Sequence, residues 1–248
     1  FCKCSDPKQI VMREAIYSGD IRAVVFDADD TLWDCQSHFE RVQDRYGRLL
    51  SSYGLAPECV GESLFSTECR NMPLLGYGVK AFTISLIENA CAMTHGTISG
   101  SDIKEIIDMG RSLLTFEVRP FAGICDTLSW LSRIDGVRVA LFTKGELLDQ
   151  QSKLARSGLS GYFDVVDIVS DKTPQAVLSL CQRMNVEPCR TLVVGNSFKS
   201  DVLPAIEAGA KAAYVPSQYL WQYESAEEFE HPEVRTYRSV AEIFGVTY

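Results

Sequence analysis

The sequence predicts an α/β protein: a Rossmann-like, doubly wound parallel sheet carrying an inserted all-helical cap domain. Three observations carry this. Short apolar runs rich in β-branched residues recur at 21–27, 137–143, 191–195 and 212–215, with a weaker one at 163–169. Runs without polar alternation read as strands buried on both faces. Helical patterns fall between them, over 124–132, 147–157, 174–184 and 203–208, and strand–helix alternation marks a sheet covered by helices on both sides. Finally, residues 34–118 break the alternation, with helical periodicity at 38–53, 79–93 and 103–116 and no convincing strand.

Taken in order, residues 1–20 read as a frayed lead-in. The first strand, Ile21 to Asp27, ends in a run of acids. The helical insertion follows, and the core resumes near Arg119-Pro120. This divides the chain into a lead-in (1–20), a core (21–33 and 119–248) and a helical cap (34–118). Several boundaries carry their own signals. The turn at Pro120 and Gly123 precedes the helix over 124–132, Gly158 ends the helix over 147–157, and Gly209 ends the one over 203–208. Thr173 is placed to cap the helix that Pro174 opens, since proline suits the first helical position.

Composition narrows the function. The chain has 248 residues, 46% hydrophobic and 23% charged, which suits a folded globular protein rather than a disordered one. A net charge of -9 repels nucleic-acid backbone and anionic lipid, so neither a nucleic-acid polymer nor a membrane is the expected partner. Nine cysteines are scattered without zinc spacing, which fits reduced thiols in a cytosol. No run of 18 apolar residues is present, and the first 20 residues lack the apolar middle of a secretory signal. The expected location is cytoplasmic.

Ligands of open α/β sheets bind at the carboxyl ends of the strands. There the sequence puts Asp27-Ala28-Asp29-Asp30-Thr31, then Thr143-Lys144-Gly145, then Lys172 just before a helix, then Gly195-Asn196-Ser197-Phe198-Lys199-Ser200-Asp201. A carboxylate can attack phosphorus to give an acyl phosphate. A second acid two residues on can protonate the leaving alcohol and then activate water. Two carboxylates about 4 Å apart at an effective dielectric near 20 repel by roughly 4 kcal/mol, so the site calls for cations. Magnesium and Lys172 would supply them. Thr143, with the backbone N–H groups of Lys144 and Gly145, can hold phosphate oxygens at a helix N-terminus.

These four clusters, in this order, resemble the motifs of the haloacid dehalogenase superfamily of hydrolases over about residues 21–216. The resemblance rests on D-x-D-x-T at 27–31, Thr143, Lys172, and a G-D-x-x-x-x-D-like run at 195–201. It implies Asp27 as nucleophile and Asp29 as general acid/base, with the Asp29 backbone carbonyl offered to magnesium. It implies Thr143 and Lys172 on the phosphoryl group, and Asp27, Asp29, Asn196 and Asp201 around the metal. The insertion resembles the family's helical cap. One position departs from the pattern: Asn196 stands where the family places an acid, so the metal would meet one charge fewer. The implied reaction is magnesium-dependent hydrolysis of a small phosphorylated metabolite, a phosphate monoester, through a phospho-aspartate.

Simpler readings accompany these. Asp30 can serve only the turn, Lys172 can be a solvated lysine, Thr143 a strand residue, Asn196 an Asx-turn residue, and Asp201 a helix N-terminal charge. Lys199 reads as a surface charge. In the insertion, Gly76-Tyr77-Gly78-Val79-Lys80 can be a substrate-facing loop with Lys80 on an anionic group, or an ordinary turn between helices. His38, His95 and His231 lack partners at metal or triad spacing. Three rival functions remain: a haloacid dehalogenase, which resembles this chain but lacks the second acid; a sugar-phosphate mutase, which keeps both acids; and a non-catalytic binding protein, for which Asn196 is the support.

Overall fold

A computed structural model of the chain describes residues 7–246. In chain order its elements are α1 (Pro7–Tyr17), β1 (Ala23–Phe26), α2 (Gln36–Ser51), α3 (Pro57–Leu75), α4 (Val79–Met93) and α5 (Gly100–Leu113). Then follow α6 (Ile124–Leu131), β2 (Arg138–Lys144), α7 (Leu147–Ser157), β3 (Val165–Val169), α8 (Pro174–Met184) and β4 (Thr191–Gly195). The chain ends with α9 (Leu203–Glu207), β5 (Lys211–Tyr214), β6 (Val234–Thr236) and α10 (Val240–Ile243). It divides into two compact units. One comprises Cys35–Glu117 and Gly145–Ser152, and the other holds the rest.

The larger unit is built on one six-stranded sheet in the order β3-β2-β1-β4-β5-β6, parallel throughout. β1 is central, with Phe26 opposite Leu141 of β2 and Val194 of β4. All residues of β1 and β4 are buried, as expected of strands covered on both faces. One side of the core joins Val25, Phe142, Leu180, Val193 and Val202; full burial of each such side chain stabilises by about 1.5–3 kcal/mol. β3 is an edge strand and mostly half-buried, which explains its weaker apolar signal. Thr173 caps α8 as its sequence signals: its side chain accepts the Ala176 N–H, and Pro174 follows.

Three differences from the sequence reading have local causes. Residues 7–17, read within a frayed lead-in, form helix α1. Met12 and Ile16, four apart, are buried on one face, and Arg13 lies 5.0 Å over the Trp130 ring. Helix α3 is rich in Ser, Thr, Cys and Glu, which blurs its periodicity, and it contains Pro73. β6 has three residues, too few to show a period.

The smaller unit packs α2–α5 around Tyr46, Leu50, Leu64, Leu86, Ile106 and Met109. The buried Tyr46 hydroxyl bonds Leu86 O at 3.0 Å and Asn89 Oδ1 at 2.7 Å. Helices α4 and α5 approach closely at Gly110, where an added Cβ would lie 2.0 Å from Thr83 Oγ1. Among the described residues, no helix is long and apolar enough to cross a membrane. The seven described cysteines are all free.

Candidate active site

The strand order reverses direction between β1 and β4. Ligands of doubly wound sheets bind at that switch point, beyond the carboxyl ends of the strands. Asp27 follows β1 and Asn196 follows β4. The Asp27 N–H donates to Val194 O at 2.9 Å, which anchors the start of the turn. The chain then folds back sharply. Leu32 N–H donates to Ala28 O at 2.8 Å, and Asp30 N–H donates to Trp33 O at 2.8 Å. Asp30 adopts φ 61°, a left-handed conformation that aspartate tolerates better than most residues. The third acid of the run therefore serves the turn that aims the other two.

Asp27 is 7% exposed and fully engaged. Its Oδ1 accepts from Lys172 Nζ at 2.5 Å, and its Oδ2 accepts from Thr31 Oγ1 at 2.7 Å. Burial pushes its carboxyl up to about 6, against the opposing pull of Lys172 and with a further push from Asp201. Lys172 Nζ also donates to Asp201 Oδ1 at 2.6 Å. Burial alone would pull the ammonium down, but Asp201 and Asp27 outweigh it and hold it above the ordinary lysine range. A lysine in a polar loop is usually solvated; this one is buried between two carboxylates.

The sequence reading puts Asp201 on the metal, and the structure gives it other partners. Its Oδ1 faces Lys172 and its Oδ2 accepts the Ser197 N–H at 2.9 Å. It lies on a π-helical turn over Phe198–Val202, a distortion often found at functional sites. This inward fold requires Gly195, because a Cβ there would lie 2.2 Å from Asp201 Cγ.

Asn196 closes the group. The Thr31 hydroxyl has one proton and gives it to Asp27, so it can only accept from Asn196. The Asn196 amide nitrogen then donates to Thr31 Oγ1 at 3.1 Å, Asp27 Oδ2 at 3.2 Å and Asp29 O at 3.2 Å. Three oxygens thus converge on one side-chain end. They are hard donors of the sort that magnesium accepts, and the amide carries an oxygen of its own. Among the described residues no three His, Cys, Asp or Glu groups gather as a metal cluster; the donor set here is one carboxylate, one backbone carbonyl, one hydroxyl and one amide. That set fits a hard cation, though a weakly held one.

Asp29 has separate partners. Its Oδ1 accepts from Trp33 Nε1 at 2.8 Å and its Oδ2 from Lys153 Nζ at 2.6 Å. Thr143, at the end of β2, is 1% exposed. The Lys144 ammonium bonds Ser200 Oγ at 2.7 Å and pairs with Glu224. Glu224 Oε2 also accepts from Ser197 Oγ at 2.7 Å and Ser200 Oγ at 2.5 Å. The Lys144 side chain is thus tied into the turn after β4, which leaves its backbone N–H, the group expected on phosphate, a separate matter. Gly145 and Lys80 belong to the helical unit. There Gly145 adopts φ 142°, and Lys80 pairs with Glu146 at 2.9 Å. Lys199 lies 4.0 Å over the Tyr223 ring.

The sequence reading gives no role to Lys153, Trp33 or Glu224. Lys153 and Glu224 lie outside the motifs, and a buried lysine on an amphipathic helix leaves no mark that separates it from an exposed one. Trp33 follows the first motif closely, and only its donor N–H hints at a polar role.

Comparison with known proteins bears on this site. A family model described as haloacid dehalogenase-like hydrolase matches residues 21–209. A glyceraldehyde 3-phosphate phosphatase of Methanothermobacter thermautotrophicus is 26% identical over 213 residues, covering 80% of this chain and 87% of that protein. The pyrimidine 5′-nucleotidase YjjG of Escherichia coli is 27% identical, covering 81% and 88%. A haloacid dehalogenase-like family hydrolase from Xanthomonas campestris superposes with a TM-score of 0.81 at 30% identity, covering 91% of this chain and 90% of that one. With a family model spanning every motif at the switch point, the chain belongs to the haloacid dehalogenase-like hydrolases.

Proposed function

We propose that this protein is a magnesium-dependent phosphatase that hydrolyses a small phosphate monoester through a phosphorylated Asp27. The observation that carries the reading is the buried pair of Asp27 and Lys172, 2.5 Å apart, at the switch point of the sheet. A nucleophile must be ionised and aimed. Lys172 favours the ionised form, and Lys172 and Thr31 fix the two carboxylate oxygens. In the first step an Asp27 oxygen bonds phosphorus as the ester P–O bond breaks, and Asp29 gives a proton to the departing alcohol oxygen. In the second, Asp29 takes a proton from water, whose oxygen attacks phosphorus and releases Asp27 and inorganic phosphate.

Thr143, with the backbone N–H groups that follow it, and Lys172 hold the phosphoryl oxygens. Asp27, the Asp29 carbonyl and Asn196, presenting its amide oxygen, would hold magnesium, with Asp201 acting through Lys172. Magnesium supplies positive charge that offsets the phosphate dianion. The insertion acts as the cap that selects substrate, with Lys80 meeting an anionic group of that substrate, and the protein works in the cytoplasm. Asp29 favours phosphate over a carbon–halogen bond, since a halide leaves without a proton and an alkoxide does not.

Both relatives named for a substrate act on small phosphorylated compounds. The test is a hydrolysis panel with magnesium and with chelator. It includes glyceraldehyde 3-phosphate, pyrimidine and purine nucleoside 5′-monophosphates, other sugar phosphates and p-nitrophenyl phosphate. Magnesium-dependent release of phosphate from one class is the expected result. Release from none, by folded protein, refutes the reading.

A further inference from the structure

We infer that Lys153 is a positioning residue for the acid/base Asp29, acting with Trp33 as a two-sided clamp; this rests on the phosphatase reading above. Lys153 Nζ donates to Asp29 Oδ2 at 2.6 Å, and Trp33 Nε1 donates to Asp29 Oδ1 at 2.8 Å. The holders are buried: Lys153 has a side chain 3% exposed and Trp33 is 0% exposed. The carboxylate they hold is not, with Asp29 at 25%. An enzyme needs this asymmetry at an acid/base. The group must meet substrate and water, while its orientation must come from parts that do not move.

The clamp is rigid on both sides. Trp33 bridges to Asp29 and to Pro120 through the backbone, and the left-handed Asp30 fixes the turn between them. Lys153 sits on α7, one turn past Asp149 and Gln150, which are also buried. Burying an ammonium costs several kcal/mol unless a partner offsets it, so a lysine here is a poor choice for filling space alone.

The chemistry gives the clamp a purpose. When the ester P–O bond breaks, the proton leaves Asp29 for the alcohol oxygen, and Asp29 becomes a carboxylate. Lys153 and Trp33 hold that carboxylate through the first step and keep it in place for the water of the second. Proton transfer needs heavy atoms within about 2.6–3.2 Å, so a carboxyl free to rotate loses efficiency without losing its charge.

The test compares leaving groups. The ratio kcat/KM covers events up to departure of the alcohol. An alkoxide needs an acid to leave, whereas p-nitrophenolate needs almost none. Lys153→Met and Trp33→Phe are measured against wild type with the best alkyl ester of the panel and with p-nitrophenyl phosphate. Thermal unfolding is recorded for each. The clamp predicts a loss of about tenfold or more on the alkyl ester, at the low end of what acid–base catalysis contributes. It predicts a loss several-fold smaller on p-nitrophenyl phosphate. A merely structural lysine lowers both by the same factor, and equal losses, or none, overturn the clamp. If Lys153→Met does not fold, Trp33→Phe must show the same split, and its absence overturns the clamp equally. Wild-type protein that hydrolyses neither ester refutes the phosphatase reading, and the clamp falls with it.

Discussion

Replacing Lys172 with methionine removes the cation shared by Asp27 and Asp201 while keeping most of the side-chain volume. The ammonium lies 2.5 Å from Asp27 and 2.6 Å from Asp201, with a side chain 2% exposed. Deleting one partner of a buried ion pair typically costs about 3–5 kcal/mol, because the remaining charge stays buried. Here two carboxylates remain, and their mutual repulsion adds to the cost. They have an escape, since one can take up a proton. Burial already pushes Asp27 up to about 6, and losing Lys172 pushes it higher. An acid with a raised pKa in the folded state binds more protons than its unfolded form. Stability conferred by that proton falls as pH rises from the unfolded value through the folded one. Lys172→Met should therefore lose about 3 kcal/mol or more at pH 8 and distinctly less at pH 5. At about 2–4 °C per kcal/mol for a chain of this size, the Tm falls by roughly 6–12 °C at pH 8. Differential scanning calorimetry of both proteins in chelator across pH 5–8 reads this directly. A pH-independent loss, or a loss below about 1 kcal/mol, would show that Lys172 does not neutralise the pair.

Further outcomes follow from the same site. Asp27→Asn should abolish turnover of p-nitrophenyl phosphate in a protein with unchanged circular dichroism; acid-quenched wild type should carry its phosphoryl group on Asp27 by mass spectrometry, and an adduct elsewhere contradicts the nucleophile. Gly195→Ala drives a Cβ into Asp201, 2.2 Å from its Cγ. It should cost about 3 kcal/mol, the upper range for overpacking, and a double mutant with Asp201→Ala should cost far less than the sum. Asn196→Asp sets a carboxylate beside Asp27. It should lower the Tm in chelator and enlarge the Tm gain on adding magnesium, and an equal gain in both proteins would remove residue 196 from the metal site. Burial would raise the Glu224 carboxyl, but Lys144, Ser200 and Ser197 outweigh it and hold the group below the ordinary value. Its stabilisation is present above about 4.5 and is lost as pH falls through the lower folded value. Glu224→Gln should cost about 3 kcal/mol at pH 7, with the gap to wild type narrowing below pH 4.5 in thermal melts.

The sheet was legible because a parallel strand buried on both faces must be apolar along its buried length, as β1 is throughout and as Val139–Phe142 of β2 and Leu192–Val194 of β4 are. Edge strands escape that requirement, which is why β3 read weakly and β6 not at all. Asp27, Asp29, Thr143, Lys172 and Asn196 were legible as residue types at strand ends. Their partners were not. Nothing in the sequence shows that the Asp201 carboxylate faces Lys172, since that depends on Gly195 leaving room and on a π-turn redirecting one side chain. The side-chain pairing of Lys144 with Glu224, 80 residues downstream, likewise left no mark in the sequence. Ion pairs across long sequence separations are set by the fold, and single-residue patterns do not carry them.

The charges at the switch point can be counted. Asp27, Asp29 and Asp201 bring three negative charges, and Lys172 and Lys153 bring two positive ones, while Asn196 adds none. With Asp29 ionised the balance is one negative charge, which a phosphate dianion does not approach unaided. On the proposed function, phosphate and a divalent cation would therefore be linked ligands, each raising the affinity of the site for the other by the same factor. An acid at position 196 would loosen that linkage by holding the cation alone. On the proposed function an amide would strengthen it, and cation and ester would bind as a pair.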